Sequence, residues 1–184
     1  MIHKLCFYFL NEYEKKKFFQ LDKNIHIIYR NYSKKYNINH ILELKRICKL
    51  QKRKFFLANN LKLALRLNLD GAYIPSFNKS ILPLKFKKEG FLVLGSAHNL
   101  KEINIKKRQG VNLLFISPIF KILKKNYFLG TIKYNILANK FGKKTIALGG
   151  INQTNIRIIK NINCYGFASI SYIEKYKFNG KKYF

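Results

Sequence analysis

Along this chain, short and continuous apolar runs alternate with longer stretches in which apolar residues recur at helical spacing. The runs predict strands at Lys4–Leu10, Asn24–Arg30, Lys54–Ala58, Ala72–Ile74, Phe91–Gly95, Val111–Ser117, Thr145–Leu148 and Cys164–Ile170. The intervening stretches predict helices. One covers Asn39–Gln51, with Ile41, Leu44, Ile47 and Cys48 on a single face, and a short one covers Asn59–Asn68, capped by Asn59 or Asn60. Asn99–Arg108 opens on Asn99 and is stopped by Gly110, and Gly130–Phe141 follows a lysine-rich loop over Pro118–Phe128. The glycine pair Gly149-Gly150 leads to Asn152, a plausible N-cap for a helix over Gln153–Ile162, and a helical remnant runs to Glu174. The segment between the first two strands and the segment Phe77–Lys88 are polar and poorly periodic.

Strands that return through a helix lie parallel to one another, and strands buried on both faces read as unbroken apolar runs. Repeated strand–helix units along one chain therefore predict an α/β fold, a (β/α)8 TIM barrel. It would be compact, with trimmed helices, because such barrels usually need about 250 residues. An open doubly wound sheet is the alternative. The 184 residues make one domain, 1–184, with a real core.

The apolar runs are strand-sized, well short of a membrane span. The opening M-I-H-K-L-C-F-Y-F-L resembles a signal peptide, but Asn11-Glu12 stands where a cleavage site would be needed, so the segment reads as the first strand. Cys6, Cys48 and Cys164 are widely spaced and odd in number, which suits neither a metal cluster nor a disulfide framework and points to a reducing cytoplasm. The net charge of +29 raises nucleic acid as a partner. The lysines are nevertheless spread over every element rather than gathered in one stripe, and the abundance of Lys, Asn, Ile, Phe and Tyr is what AT-rich codons supply.

In a barrel of this kind, chemistry belongs at the C-terminal ends of the strands. Those ends carry Arg30, Ala58-Asn59, Ile74-Pro75-Ser76, Ser96-Ala97-His98, Ser117-Pro118, Gly149-Gly150 and Ser169-Ile170-Ser171, a set almost devoid of acids. Paired glycines let the backbone approach a ligand closely, and unpaired N–H groups at the turn favour a phosphate.

The series G-S-A-H (95–98), S-P-I-F (117–120), A-L-G-G-I-N (147–152) and A-S-I-S (168–171) is similar to the thiamin phosphate synthase and TenI-type thiazole tautomerase family. The resemblance runs from Ile25 to Ile173 and implies a barrel that holds a thiazole phosphate at its mouth. It gives phosphate-binding roles to Gly149, Gly150, Ile170 and Ser171, and it places Ser96 against the ring or the phosphate, unless Ser96 only satisfies backbone at the strand end. Lys124 and Lys125 would clamp the substrate's anionic groups or be ordinary surface lysines. The synthase branch joins the thiazole phosphate to a pyrimidine methyl diphosphate with Mg²⁺, which prefers carboxylate oxygens. At the family's two magnesium aspartates this chain has Asn59 and Asn78, and of the diphosphate-gripping motif after strand two only Arg30 remains. The tautomerase branch needs no metal or other cofactor, and His98 matches its acid/base, although a structural or capping histidine would occupy the same place. The expectation is thus a metal-independent, tautomerase-like protein of thiamin biosynthesis, possible as a homo-oligomer. The alternatives are a working synthase with Mg²⁺, or a non-catalytic binder of a phospho-ligand or RNA.

Overall fold

The computed structural model describes residues 5–12, 18, 21–32, 36–81, 89–122 and 126–175. The strands are β1 Leu5–Leu10, β2 Ile25–Tyr29, β3 Phe55–Ala58, β4 Gly71–Ile74, β5 Leu92–Ala97, β6 Leu113–Ile116, β7 Lys144–Leu148 and β8 Gly166–Ala168. They pair in sequence order, all parallel, and β8 closes on β1 through Leu5 opposite Gly166. This is the closed barrel, and the open sheet is excluded.

Alternation along each strand separates two cores. Phe7 and Phe9 of β1, Ile28, Phe56, Tyr73, Leu94, Phe115 and Ile146 face the lumen and pack on one another. Phe115 meets Phe7 and Tyr73 edge-on at 5.1 and 5.5 Å between ring centroids. These aromatic rings fill the interior, which is a core and not a pore. The intervening residues, among them Tyr8, Ile27, Leu57, Leu114 and Ala147, face outward under the helices.

The helices are α1 Ile38–Leu50, α2 Leu61–Arg66, α3 Leu100–Arg108, α4 Gly130–Phe141 and α5 Ser171–Lys175. α1 is capped by Asn37, α2 by Asn60 and α3 by Asn99, each through a side-chain oxygen that accepts backbone N–H. Asn59 is thereby released from capping and adopts a left-handed conformation, φ 56°. Among the described residues no helix is long and apolar enough to cross a membrane.

Several expected elements are shorter than their patterns, the strand over Cys164–Ile170 reduced to Gly166–Ala168 and the helix over Asn59–Asn68 to Leu61–Arg66 among them. Val111 and Asn112 do not join β6: Gly110, at φ 69°, lets Val111 N–H close on Lys106 O, and the Asn112 side chain accepts from Val93 N–H. The expected helix over Gln153–Ile162 is instead a 3₁₀ helix, Ile156–Asn161. Asn155, not Asn152, takes the cap position, with no side-chain cap bond; the Asn152 carboxamide instead builds a turn, accepting from Thr154 and Asn155 N–H at 2.9 and 3.2 Å, while Asn155 Nδ2 donates to Gly150 O at 2.9 Å. These asparagine turns use up the first residues, and the isoleucines that follow are β-branched and poor helix formers.

His26 faces the lumen beside Phe7, with ring centroids 5.3 Å apart, and its Nδ1 accepts from Lys54 N–H at 3.2 Å. Burial, reinforced by Lys54 and Arg53 and opposed by Asp70, pushes its imidazole down to about 4. The unfolded chain, near 6.5, therefore takes up a proton first, and stability falls as pH drops from about 6.5 to about 4. We expect a loss of about 2 kcal/mol over that window, allowing for partial exposure. Urea unfolding at the two ends of the window should show His26→Gln losing less stability than the wild type.

Candidate functional site

His98 follows β5 directly, where Asn99 begins α3. Glu102 reaches back from the first turn of α3: its Oε2 accepts His98 N–H at 2.8 Å while Asn99 Oδ1 accepts Glu102 N–H at 2.9 Å. This reciprocal cap fixes the backbone at His98. The imidazole then spans two neighbouring strand ends. Its Nδ1 lies 2.7 Å from Ser117 O after β6 and 3.1 Å from Ser117 Oγ, and its Nε2 lies 3.2 Å from Ser76 Oγ after β4. A carbonyl oxygen only accepts, so Nδ1 donates to Ser117 O, while Nε2 faces the Ser76 hydroxyl, which can donate or accept. The outer side of His98 lines a cleft of about 200 Å³ with Asn99, Tyr127, Leu129, Lys133 and Ile136.

Across the Ser117-Pro118 bond, which is cis, lies the glycine turn. Gly149 and Gly150 have φ of 93° and 72°, and a Cβ on Gly150 would stand 2.5 Å from Phe120 O and 2.6 Å from Lys121 O. Glycine is therefore required here by the packing of the turn on the loop after β6, quite apart from any ligand. Leu148 O and Gly149 O accept from Ile119 and Phe120 N–H, which pins the turn to that loop. Because Leu148 pairs with Ala168, the segment Ser169–Ser171 lies beside the turn. The N–H groups of Gly149, Gly150, Ile170 and Ser171 donate to no oxygen among the described residues. Four amides at two neighbouring corners make a concave donor surface suited to an anion. The α-helix expected behind the glycine turn is absent, so the backbone amides act there without a helix dipole.

Ser96 is buried within β5, and its hydroxyl hydrogen-bonds Tyr73 in the lumen, whose phenol burial pushes up to about 12. Arg30 emerges after β2 with its Nε donating to Asn11 Oδ1 at 2.9 Å. The guanidinium stacks 5.2 Å from the Phe9 ring centroid and 6.0 Å from that of Tyr32, which meets Phe77 edge-on at 5.3 Å. Lys124 and Lys125 lie outside the described residues.

The magnesium positions can be tested on their donors. Asn59 Oδ1 accepts from Asn78 Nδ2 at 2.7 Å, so the two amides satisfy each other across the ends of β3 and β4. Among the described residues no group of three or more His, Cys, Asp or Glu side chains could hold a metal. Two neutral amides, one of them presenting its N–H₂, do not fit Mg²⁺, which takes carboxylates and waters.

The sequence reading put Ser76 and Ser117 at strand ends but did not join them to His98, since they come from different units, and it did not single out Glu102. It also missed Lys106, whose signal was its place in the apolar phase of α3, three residues after Ile103.

Closed parallel strands, a packed lumen and a polar rim at their C-terminal ends make this a (β/α)8 barrel with its site at the mouth. The family model described as thiamine monophosphate synthase matches residues 16–173, and the chain belongs to that family. A thiamine-phosphate synthase of Prochlorococcus marinus subsp. pastoris is 27% identical over 140 residues, covering 74% of this chain and 39% of that protein. A putative thiamine-phosphate synthase 2 of Aquifex aeolicus is 28% identical over 133 residues, 70% of each chain. In three dimensions, the thiamine phosphate pyrophosphorylase from Pyrococcus furiosus superposes with a TM-score of 0.70 at 18% identity, over 94% of this chain and 92% of that one, which speaks to the fold.

Proposed function

We propose that this protein is a thiamine-phosphate synthase, a transferase acting on a phosphorylated thiazole and a pyrimidine methyl diphosphate. The family membership supports this reading over the tautomerase expected from the residues, and the observation that carries it to a site is the pair of amide-lined corners beside β7 and β8. There Gly149, Gly150, Ile170 and Ser171 would hold the thiazole's phosphate through backbone N–H groups, leaving the ring over the barrel mouth toward His98 and Arg30. The thiazole nitrogen's lone pair forms a bond to the pyrimidine's methylene carbon. The carbon–oxygen bond to the diphosphate breaks, and its electrons leave with pyrophosphate. No proton is transferred in that step. Arg30 is the cation placed to receive the departing charge, held by Asn11 and the rings of Phe9 and Tyr32. The test is to mix the full chain with both substrates and Mg²⁺ and assay thiamine phosphate. Formation of product supports the reading, and its absence with both substrates saturating retires it.

Two observations favour a second reading. The Asn59–Asn78 amide pair stands where magnesium carboxylates are expected, and the His98 imidazole is held between Ser117 O and the Ser76 hydroxyl, an arrangement able to shuttle a proton through Ser76. A metal-independent thiazole tautomerase would use both features. His98→Gln separates the two. If the coupling reaction is the function, we expect it to retain most of its rate in this variant; a proton-transfer enzyme should lose about 10²–10⁴-fold.

A further inference from the structure

Lysine is the commonest cation on this chain's surface, yet Lys106 of α3 is fully buried. Its Nζ donates to Pro75 O at 2.7 Å, Asn78 O at 2.9 Å and Gln109 Oε1 at 2.8 Å. An ammonium has three protons, and here three oxygens of one turn and one side chain receive them. Gln109, also buried, continues the clasp by donating from Nε2 to Asn78 O and Ser80 O at 3.0 and 2.9 Å. The lysine's stem runs past Gly95 of β5: a Cβ at that position would come 3.2 Å from Lys106 Cδ. The turn held in this way, Pro75–Ser80, carries the two side chains that reach the rim, Ser76 toward His98 Nε2 and Asn78 toward Asn59.

We infer that Lys106 is a positioning residue, an internal cation that fixes the turn after β4 and through it sets the Ser76 hydroxyl against His98. The alternative, a lysine buried merely to fill space, is physically poor. A charge removed from water costs several kcal/mol unless it is fully paired, and a leucine or methionine would fill the same volume without that cost. Burial indeed presses the ammonium down to about 8, against the favourable influence of Glu102. What the charge offers in return is direction, since it draws Pro75 O and Asn78 O together against the end of α3, where Gln109 shares the hold on Asn78 O. Placement of Ser76 is independent of which reaction the site performs, and only its consequence for turnover rests on the proposed function.

The test reads His98 itself. In the ¹⁵N-labelled full chain, the His98 Nε2 resonance, assigned by its loss in His98→Gln, reports the hydrogen bond with Ser76. Ser76→Ala gives the shift expected when that bond is absent. Lys106→Met should move the resonance in the same direction, and a folded Lys106→Met with a wild-type His98 resonance would overturn the inference. If that variant does not fold, Gln109→Met keeps the lysine but frees Asn78 and Ser80. It too should move the resonance, and an unmoved resonance in the folded variant counts against the inference. In a proton-transfer assay on the thiazole carboxylate phosphate Lys106→Met should lower kcat by about tenfold with a smaller change in KM, whereas the coupling reaction should keep most of its rate, as in His98→Gln. A shifted resonance in a protein that turns over neither substrate set would leave the positioning role standing and sink the functional reading instead.

Discussion

Replacing Gly166 by alanine should be the most destabilising single-methyl change in the molecule. Gly166 begins β8 and pairs with Leu5 of β1, the seam at which the barrel closes. An added Cβ would fall inside the van der Waals envelope of the Leu5 carbonyl, and its other near neighbours are also Leu5 backbone. A flexible side chain could swing aside, but a ladder carbonyl cannot move without parting the strands. Overpacking of a well-filled site usually costs about 1–3 kcal/mol, and a backbone clash belongs at or above that limit. We expect about 3–4 kcal/mol, which lowers Tm by roughly 10 °C in a domain of this size. Thermal unfolding followed by circular dichroism measures it. A change within a degree or two would mean that the β8–β1 seam gives way, and that closure contributes little to stability.

The ease with which this fold could be read from the chain has a physical origin. Parallel strands buried on both faces have little room for a polar residue, so runs such as Leu113–Ile116 stand out without any period. Helix starts were equally legible where asparagine caps them, as at Asn99. The glycine turn was legible too, but its sequel was not, because Asn152 and Asn155 use their side chains to build turns in place of an α-helix. The site was less legible than the fold for a simple reason: the partners of His98 come from the ends of β4 and β6, and only closure of the barrel makes them neighbours. Ser96 shows what alternation adds to the sequence motif. Adjacent in sequence to the rim motif, it turns into the lumen because alternation along β5 sends it there, opposite in sense to Gly95 and Ala97.

The asparagine pair changes what the rest of the mouth has to do. Aspartates at Asn59 and Asn78 would bring two negative charges and attract a divalent cation, whereas two amides bring none and bind each other. The strand ends become locally self-sufficient, and charge compensation for an anionic leaving group passes to fixed cations of the chain.

Under the proposed function Arg30 is the residue on which that burden would fall, and its removal should be the largest loss of activity. Its Nε is taken by Asn11, and the planar group is held between Phe9 and Tyr32. The two terminal nitrogens donate to no oxygen among the described residues, so they remain for a ligand. A guanidinium offers two parallel N–H groups to a phosphate and keeps its charge at any accessible pH. Removing one preorganised donor from a developing oxyanion typically costs 10²–10³-fold in kcat, about 3–4 kcal/mol of barrier. Arg30→Gln should show at least that loss in the coupling reaction, because no carboxylate-held metal at Asn59 and Asn78 shares the charge. Its Tm should change little, since the side chain is only partly buried and its main packing partner, Phe9, stays locked against Tyr73 and Phe115. Arg30→Lys keeps the charge but not the fork, and should recover only part of the rate. Full activity in Arg30→Gln would place the leaving group elsewhere on the rim and remove Arg30 from the mechanism.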